Sequence, residues 1–357
     1  MIHPLDLELA ATYEPGLKGK SPALVKRALE WAEPFKVSEI SGLRSAAGEE
    51  IVGELILCTL LPEQIMTLNE KFVVRRIAQA CRIAEEDGAT IVGLEAYTAL
   101  RGKKGLEVAK RTSIPVTTGS NYTIAMAIES IEKVCEFTEL NLAESTAAVI
   151  GATGTLGSLC SMLLAKKVRQ LHLVARAEVP LARLAQQIQA SNGPVALKWG
   201  TSVAAHVREA DLVVTATSTP GTLLSSEDLK HGAIVCDVSR PRNVSPDVRV
   251  RRKDVLIIDG GVIQTPGPVN FHFYFGLPVG LVYACMAETM ILALENRNEP
   301  YSLGGNVSVE KVEEIAGLAK KHGFSLAEPR SFDQPILQKD LDRVVAAIRK
   351  RRQVLST

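Results

Sequence analysis

Val149–Gly157 reads Val-Ile-Gly-Ala-Thr-Gly-Thr-Leu-Gly, a pattern typical of a buried strand that turns on glycines directly into a helix. Gly151 allows the tight turn, Gly154 lets backbone N–H groups approach a pyrophosphate, and Gly157 lets the helix pack closely against the sheet. The first turn of the helix adds unpaired N–H donors and partial positive charge. The stretch therefore predicts a binding site for a dinucleotide.

The residues around these glycines complete a strand–helix–strand unit. An apolar strand over 147–150 precedes the turn, an apolar helical stripe follows over 156–164, and 171–175 is a second buried strand. The unit has about the ~30 residues expected of such a motif. Because the spacing G-x-x-G-x-x-G alone also fits a tight turn without a ligand, the context carries the prediction.

The residue after the second strand indicates which dinucleotide binds. An acidic residue there hydrogen-bonds the ribose 2′-hydroxyl of NAD, whereas this chain has Arg176, whose guanidinium suits a 2′-phosphate. Arg176 therefore favours NADPH, and Glu178 keeps NADH open. The residues expected to contact the cofactor are Gly151, Ala152, Thr153, Gly154, Thr155, Leu156, Gly157, Arg176, Thr217 and Ser218.

Composition narrows the classes of protein. The 357 residues are enough for two domains, and a net charge of +1 gives no general indication of nucleic-acid binding. No apolar run approaches the ~18 residues of a membrane span, and the first residues do not resemble a signal peptide. The six cysteines and six histidines are scattered, so neither a metal site nor a disulfide framework is predicted. We expect a cytoplasmic protein whose oligomeric state stays open.

Alternating strands and helices predict an α/β fold with a Rossmann-type doubly wound parallel sheet and a second α/β lobe. Further strands of the sheet are expected over 195–198, 211–216, 233–237 and 255–259. We divide the chain into an N-terminal α/β substrate and catalytic lobe (1–140), an NADP-binding domain (141–264) and a C-terminal part (265–357). The last part holds an aromatic loop and helices that are expected to pack across both lobes and complete the active site.

The C-terminal part carries two candidate catalytic residues. Four aromatic residues crowd into Phe271–Phe275 and either line an apolar pocket or belong to the core. His272 within this run is a candidate proton shuttle, with a packed or surface histidine as the alternative. Cys285 lies near the predicted start of a helix, where the thiol pKa is lowered and thiolate is favoured. The alternative is a buried structural cysteine, which is how the other five cysteines read.

Several separated blocks resemble the long-chain acyl-(acyl-carrier-protein) reductases of cyanobacteria and their bacterial relatives. The blocks are Leu61–Glu63, Val92–Leu94 with Tyr97–Thr98, Thr117–Gly119, Val149–Gly157, Asp259–Val262, Ala284–Glu288, Val309–Val312 and Lys321–Phe324. The resemblance covers residues 50–325, while 264–280 and both ends depart from the family pattern. In that family the cysteine that matches Cys285 attacks a fatty acyl thioester, and NADPH reduces the acyl-enzyme to an aldehyde.

The resemblance thus implies an NADPH-dependent reductase of acyl thioesters, with acyl carrier protein or coenzyme A as the acyl donor. Backbone N–H groups near Cys285 and the polar turn Thr117–Asn121 are candidates to stabilise the oxyanion. Glu288 reads as a surface or structural acid rather than a base. Two alternatives stay open: an NADP-dependent dehydrogenase of shikimate or amino-acid type with direct hydride transfer, and a non-catalytic NADPH-binding module.

Overall fold

The computed structural model describes residues 1–192, 195–217, 221, 223–239 and 242–356. The chain divides into two compact units. Unit 1 comprises Met1–Tyr122, Ile263–Val307 and Glu314–Ser325, and unit 2 comprises Thr123–Val262, Ser308–Glu313 and Leu326–Thr357. The first boundary lies at Tyr122 rather than near residue 140, and the predicted C-terminal part 265–357 divides between the two units.

The helices and strands alternate along much of the chain. The helices are α1 (Leu7–Tyr13), α2 (Pro22–Trp31), α3 (Pro62–Thr67), α4 (Glu70–Glu86), α5 (Arg101–Lys104), α6 (Leu106–Ala109), α7 (Ser120–Phe137), α8 (Thr155–Ala165), α9 (Glu178–Asn192), α10 (Val203–Val207), α11 (Pro246–Arg251), α12 (Ala284–Leu294), α13 (Val309–His322) and α14 (Gln338–Ser356). The strands are β1 (Phe35–Arg44), β2 (Glu50–Leu57), β3 (Val92–Gly93), β4 (Val116–Thr117), β5 (Thr146–Ile150), β6 (Gln170–Val174), β7 (Ala196–Gly200), β8 (Leu212–Thr215), β9 (Ile234–Asp237), β10 (Leu256–Asp259), β11 (Val262–Gln264), β12 (Leu281–Tyr283), β13 (Ser325–Leu326), β14 (Arg330–Ser331) and β15 (Gln334–Pro335).

Unit 2 contains the predicted parallel sheet. Its six strands lie in the order β10-β9-β8-β5-β6-β7, and every neighbouring pair is parallel. Counted along the unit this is the order 6-5-4-1-2-3, the doubly wound order of dinucleotide-binding domains. All residues of β5 and β8 are buried, which explains why the sequence shows continuous apolar runs there. The predicted fold class is confirmed, and the direction of winding reverses between β5 and β8.

Unit 1 holds β1 and β2 as an antiparallel pair and β3 and β4 as a short parallel pair. In the second pair Val92 lies opposite Val116 and Gly93 opposite Thr117. Apolar side chains of α4, among them Val73 and Ile77, are buried in the same core cluster as these two strands. Because β3 and β4 are parallel, the residues that follow them emerge at the same edge.

The C-terminal helices are distributed between the units. The whole of α12 belongs to unit 1 and the whole of α14 to unit 2, whereas α13 contributes residues to both. In the aromatic run of unit 1, the Phe271 and Phe275 rings are buried in edge-to-face contact with centroids 4.9 Å apart. Tyr274 is 65% exposed. The run is therefore partly core and partly surface.

None of the helices in the described part of the chain combines the length and apolar character needed to cross a bilayer. Within the same residues, no three His, Cys, Asp or Glu side chains come together as a metal ion would require.

Candidate active site

The glycine turn of unit 2 has the backbone geometry that its sequence predicts. Gly151 follows β5 with φ +82°, and α8 begins at Thr155 with Gly154 as its N-cap. A Cβ on Gly151 would lie 2.6 Å from the Ala216 carbonyl oxygen, and a Cβ on Gly157 would lie 2.2 Å from the Gly151 carbonyl oxygen. Side chains are therefore excluded, and the first N–H groups of α8 lie at the carboxyl edge of the sheet.

The end of β8 meets this turn. Ala216 and Thr217 follow β8, and a Cβ on Gly151 would also lie 3.0 Å from the Thr217 Cβ. The Thr217 N–H donates to Ser239 Oγ at 3.2 Å. The structure thus brings Thr217 against the glycine turn at the switch point of the sheet, where dinucleotides bind in this fold. Ser218, the other predicted residue of this segment, lies outside the described residues.

Arg176 occupies the position expected of a 2′-phosphate ligand. It lies two residues beyond the last residue of β6, and its side chain is exposed. Glu178, the competing acidic residue, is the first residue of α9. The turn, Thr217 and Arg176 all follow the carboxyl ends of three neighbouring strands, an arrangement that suits a dinucleotide with its pyrophosphate at the start of α8.

Cys285 differs from the other cysteines in its exposure. All six lie among the described residues; five are buried and Cys285 alone is partly exposed. Burial raises the pKa of Cys58 to about 11, and of Cys81, Cys135 and Cys160 to about 12. Exposure rather than thiol pKa therefore makes Cys285 the cysteine best placed to react.

The helix predicted to begin near Cys285 does begin there. Tyr283 is the N-cap of α12, and Cys285 is its second residue, with the backbone N–H groups of Cys285 and Met286 interacting with the sulfur. The expected lowering of the thiol pKa is wrong, however. Burial and the nearby Glu95 carboxylate raise the pKa of Cys285 well above its ordinary value, because both effects disfavour a thiolate more than the helix start favours it.

The segment after β4 lies directly against Cys285. Gly119 has φ +69°, and a Cβ there would lie 2.2 Å from the Cys285 Cα and 2.4 Å from its Cβ. Only glycine permits both the left-handed backbone and this approach. The turn Thr117–Asn121 therefore borders Cys285.

Two donors of this turn, the Thr117 hydroxyl and the Gly119 N–H, interact with a buried acid. Glu288 is fully buried one turn along α12 from Cys285. Its Oε1 accepts from Thr117 Oγ1 at 2.5 Å and its Oε2 from the Tyr122 N–H at 2.9 Å, and the Gly119 N–H also interacts with it. Glu288 thus fixes the turn to α12 as a structural acid. The backbone N–H groups at the start of α12 are further oxyanion candidates.

The chain at Ser302 adds to the same network. The Ser302 N–H donates to Thr117 Oγ1 at 3.2 Å, and the Asn121 Nδ2 donates to Ser302 Oγ at 2.8 Å. The Thr118 hydroxyl donates to the Ser302 carbonyl oxygen. Asn121 Oδ1, in contrast, is buried without a hydrogen-bond partner among the described residues. The network therefore positions the turn and leaves one buried acceptor unsatisfied.

Glu95, which the sequence did not single out, lies beside Cys285. It follows β3, is 6% exposed, and its carboxylate interacts with the Cys285 thiol. Burial raises the pKa of Glu95 to about 7. The available signal was a carboxylate directly after a buried strand, between the apolar Leu94 and Tyr97.

His272 makes different contacts. Its Nε2 lies 3.1 Å from Ser41 Oγ, its backbone N–H donates to Asn270 Oδ1 at 2.9 Å, and its side chain is exposed. Cys285 is not among the partners that the structure gives it. The role of His272 as a proton shuttle stays a prediction.

Known proteins show similarity to both units. The family model for shikimate/quinate 5-dehydrogenases matches residues 132–259, which include the parallel sheet. The chain is 29% identical to the aminotransferase PigE of a Serratia species over 85% of its length, a match that spans 35% of PigE, about a third. It is 28% identical to the long-chain acyl-(acyl-carrier-protein) reductase of Synechococcus elongatus, over 82% of this chain and 87% of that protein.

Among solved structures, glutamyl-tRNA reductase from Methanopyrus kandleri aligns with 81% of this chain and 58% of its own, at 14% identity and a TM-score of 0.32. Apart from PigE, these proteins are reductases or dehydrogenases. The match to the cyanobacterial enzyme runs through both units, so the chain is related to the long-chain acyl-(acyl-carrier-protein) reductase family, and the resemblance expected from its sequence is confirmed.

Proposed function

We propose that this protein reduces an acyl thioester to an aldehyde with NADPH, through an acyl group carried on Cys285. The main support for the proposal is the exposure of Cys285 and the residues that surround it. It is the partly exposed cysteine, it lies in the first turn of α12, and Gly119 and Glu95 lie against it. The similarity to an acyl-(acyl-carrier-protein) reductase over 82% of the chain supports the same chemistry.

The first half of the reaction is acyl transfer. The Cys285 sulfur attacks the thioester carbonyl, a C–S bond forms to Cys285, and the bond to the carrier or coenzyme A thiol breaks. During this step negative charge develops on the carbonyl oxygen. The backbone N–H groups of Cys285 and Met286 interact with the sulfur and would stabilise that charge.

The second half is reduction. NADPH, when bound at the glycine turn, supplies a hydride. With the hydride on the acyl carbon, the alkoxide collapses, the bond to the Cys285 sulfur breaks, and the aldehyde leaves. The chain's own contribution is to hold the acyl carbon on one side chain, so that an otherwise difficult reduction proceeds in two easier steps.

Acylation can be tested without the cofactor. The protein is incubated with decanoyl-coenzyme A in the absence of NADPH, digested, and mapped by mass spectrometry. We expect one decanoyl group on the Cys285 peptide and none in C285A, with the five buried cysteines as internal controls. No adduct on the wild-type protein, or an adduct that survives in C285A, would remove this mechanism.

Arg176 supports NADPH as the preferred cofactor, and Arg176→Ala tests that preference. A charge-assisted hydrogen bond contributes about 1.5–3 kcal/mol, so NADPH binding is expected to weaken roughly 10- to 100-fold while NADH binding changes little. Arg183→Ala, which removes another exposed arginine from α9, is the control. Equal losses for both dinucleotides would contradict the assignment.

A second candidate function is an NADP-dependent dehydrogenase of shikimate type with direct hydride transfer. The match of the shikimate/quinate dehydrogenase model to the sheet of unit 2 favours it. Such an enzyme has no need of Cys285. Full activity of C285A on a hydroxy acid would support this candidate against the reductase.

A further inference from the structure

Glu95 and Glu288 are both buried carboxylates beside Cys285, but their surroundings differ. Glu288 receives hydrogen bonds from a hydroxyl and from backbone N–H groups. Glu95 has one carboxylate oxygen, Oε2, that is buried without a hydrogen-bond partner among the described residues. A buried carboxylate without donors is unfavourable as an anion and readily accepts a proton.

The absence of a side chain at Gly93 makes room for Thr289 and Glu95. A Cβ on Gly93 would lie 2.1 Å from Thr289 Oγ1 and 3.0 Å from Glu95 Oε1. The Thr289 hydroxyl, on the turn of α12 that follows Cys285, is also buried without a partner in the described part of the chain. Two polar side chains thus share a small space beside the reactive thiol with part of their hydrogen-bonding capacity unused, as expected where a reacting group must be accommodated.

The thiol and this carboxylate form a pair that holds one proton. Burial and the Glu95 carboxylate raise the pKa of the Cys285 thiol, since a thiolate next to a carboxylate would place two negative charges in a buried site. Burial raises the pKa of Glu95, and the hydrogen bond from the Cys285 thiol opposes that rise. Above about pH 7 the resting pair is therefore a neutral thiol and a carboxylate. A Cys285 sulfur that must give up its proton to attack, and regain it on leaving, has Glu95 as the adjacent group able to do both.

We propose that Glu95 is a catalytic residue that stores the Cys285 proton while the sulfur carries the acyl group. This inference rests on the proposed function. As the sulfur attacks, its proton passes to the Glu95 carboxylate, and the carrier thiolate leaves and takes a proton from solvent. After hydride transfer the C–S bond breaks and Glu95 returns its proton to the sulfur. The thiol and carboxylate are restored, and the net reaction consumes one hydride and one solvent proton.

The direct test compares the pH profiles of Cys285 alkylation by iodoacetamide in the full-length wild type and in E95Q. In the wild type, the rate is expected to fall below about pH 7 and to level off above it, because the thiol reacts with its proton passing to Glu95. In E95Q the thiolate must form by loss of the proton to solvent, so the rate should rise about tenfold per pH unit from 6 to 9 without levelling. It should exceed the wild-type rate at pH 9, because the neighbouring negative charge is gone.

Control variants separate this role from a structural one. The titratable groups that face Glu95 are Cys285 and Glu288 on α12 and the amino nitrogen of Met1, which donates to the Gly93 carbonyl oxygen at 2.8 Å. E288Q removes a second buried carboxylate from the same helix and should keep the level region of the profile. E95D keeps an acid at residue 95, so its profile should still level off, at a lower rate of alkylation. Loss of the level region in E95D or E288Q would contradict the proposal.

The two proposals fail in different ways. Starting from isolated acyl-enzyme, single-turnover aldehyde formation in E95Q is expected to slow roughly 10²- to 10⁴-fold, the usual contribution of a positioned acid or base. The absence of an acyl adduct on the wild type would overturn the reductase function. Alkylation profiles of the same shape in E95Q and wild type would overturn the role of Glu95, whatever the substrate.

Discussion

The glycine turn of unit 2 and the surroundings of Cys285 in unit 1 offer different groups to a ligand: backbone N–H groups in the turn, and buried side chains around the cysteine. The turn works by omitting side chains, so that backbone N–H groups at the start of α8 are available to an anion. The cysteine site contains two buried acids: Glu288 receives several hydrogen bonds, and Glu95 has one oxygen without a partner among the described residues. We propose that the first region binds the charged phosphates of the cofactor and that the second moves a proton.

The largest expected effect is that of Gly119→Ala, which tests whether acylation of Cys285 requires the close contact between Gly119 and Cys285. A methyl group would collide with the backbone of Cys285 and force an unfavourable φ, which together cost about 3 kcal/mol in the free energy of unfolding. Acylation of Cys285 should be lost, while NADPH binding should remain. Gly88→Ala, at a position with φ +90° and open space around it, isolates the cost of φ alone. Similar losses in both variants would show that the contact with Cys285 is unimportant.

Gly157→Ala is the counterpart in unit 2. Its Cβ would lie 2.2 Å from the Gly151 carbonyl oxygen, so the turn must shift. Because overpacking of this kind costs about 3 kcal/mol, NADPH binding should weaken by at least 10²-fold. Alkylation of Cys285 by iodoacetamide should be unchanged. Gly317→Ala, in α13 with open space around its Cβ, is the control and should leave NADPH affinity intact. Fluorescence titration with NADPH measures the affinity of both variants. A loss of Cys285 alkylation in Gly157→Ala would contradict the expectation that the turn affects only cofactor binding.

Sequence reasoning reached these two regions unequally. The six strands of the unit 2 sheet were predicted to within about two residues because continuous apolar runs and glycine spacing are local signals. Cys285 was a candidate because of its position at a predicted helix start, and the family resemblance supplied its role as the nucleophile. Glu95 was missed because the residue that gives it meaning, Cys285, lies 190 positions away, and its own neighbours predict only a strand end. The sign of the thiol pKa shift was wrong for the same reason.

A smaller effect, on stability rather than activity, tests the electrostatics of Glu95. Burial raises its pKa from an ordinary 4.5 to about 7, so the stability it contributes is complete below pH 4.5 and is lost as the pH rises through 7. The glutamine of E95Q does not titrate, so this variant does not lose that stability as the pH rises. The free energy of unfolding of E95Q relative to wild type should therefore increase by about 3 kcal/mol between pH 4 and 8, at 1.36 kcal/mol per pKa unit. A difference that does not change with pH in urea titrations would show that the carboxyl titrates normally.

The central claim is that Cys285 holds the acyl group that the cofactor reduces, and a chase experiment tests it most directly. Wild-type protein is acylated with decanoyl-coenzyme A, freed of excess thioester, and mixed with NADPH while the Cys285 peptide and the products are followed by mass spectrometry. We expect the adduct to disappear as one decanal and one NADP⁺ form per acyl group. An adduct that persists in the presence of NADPH, or decanal that forms from C285A, would contradict it.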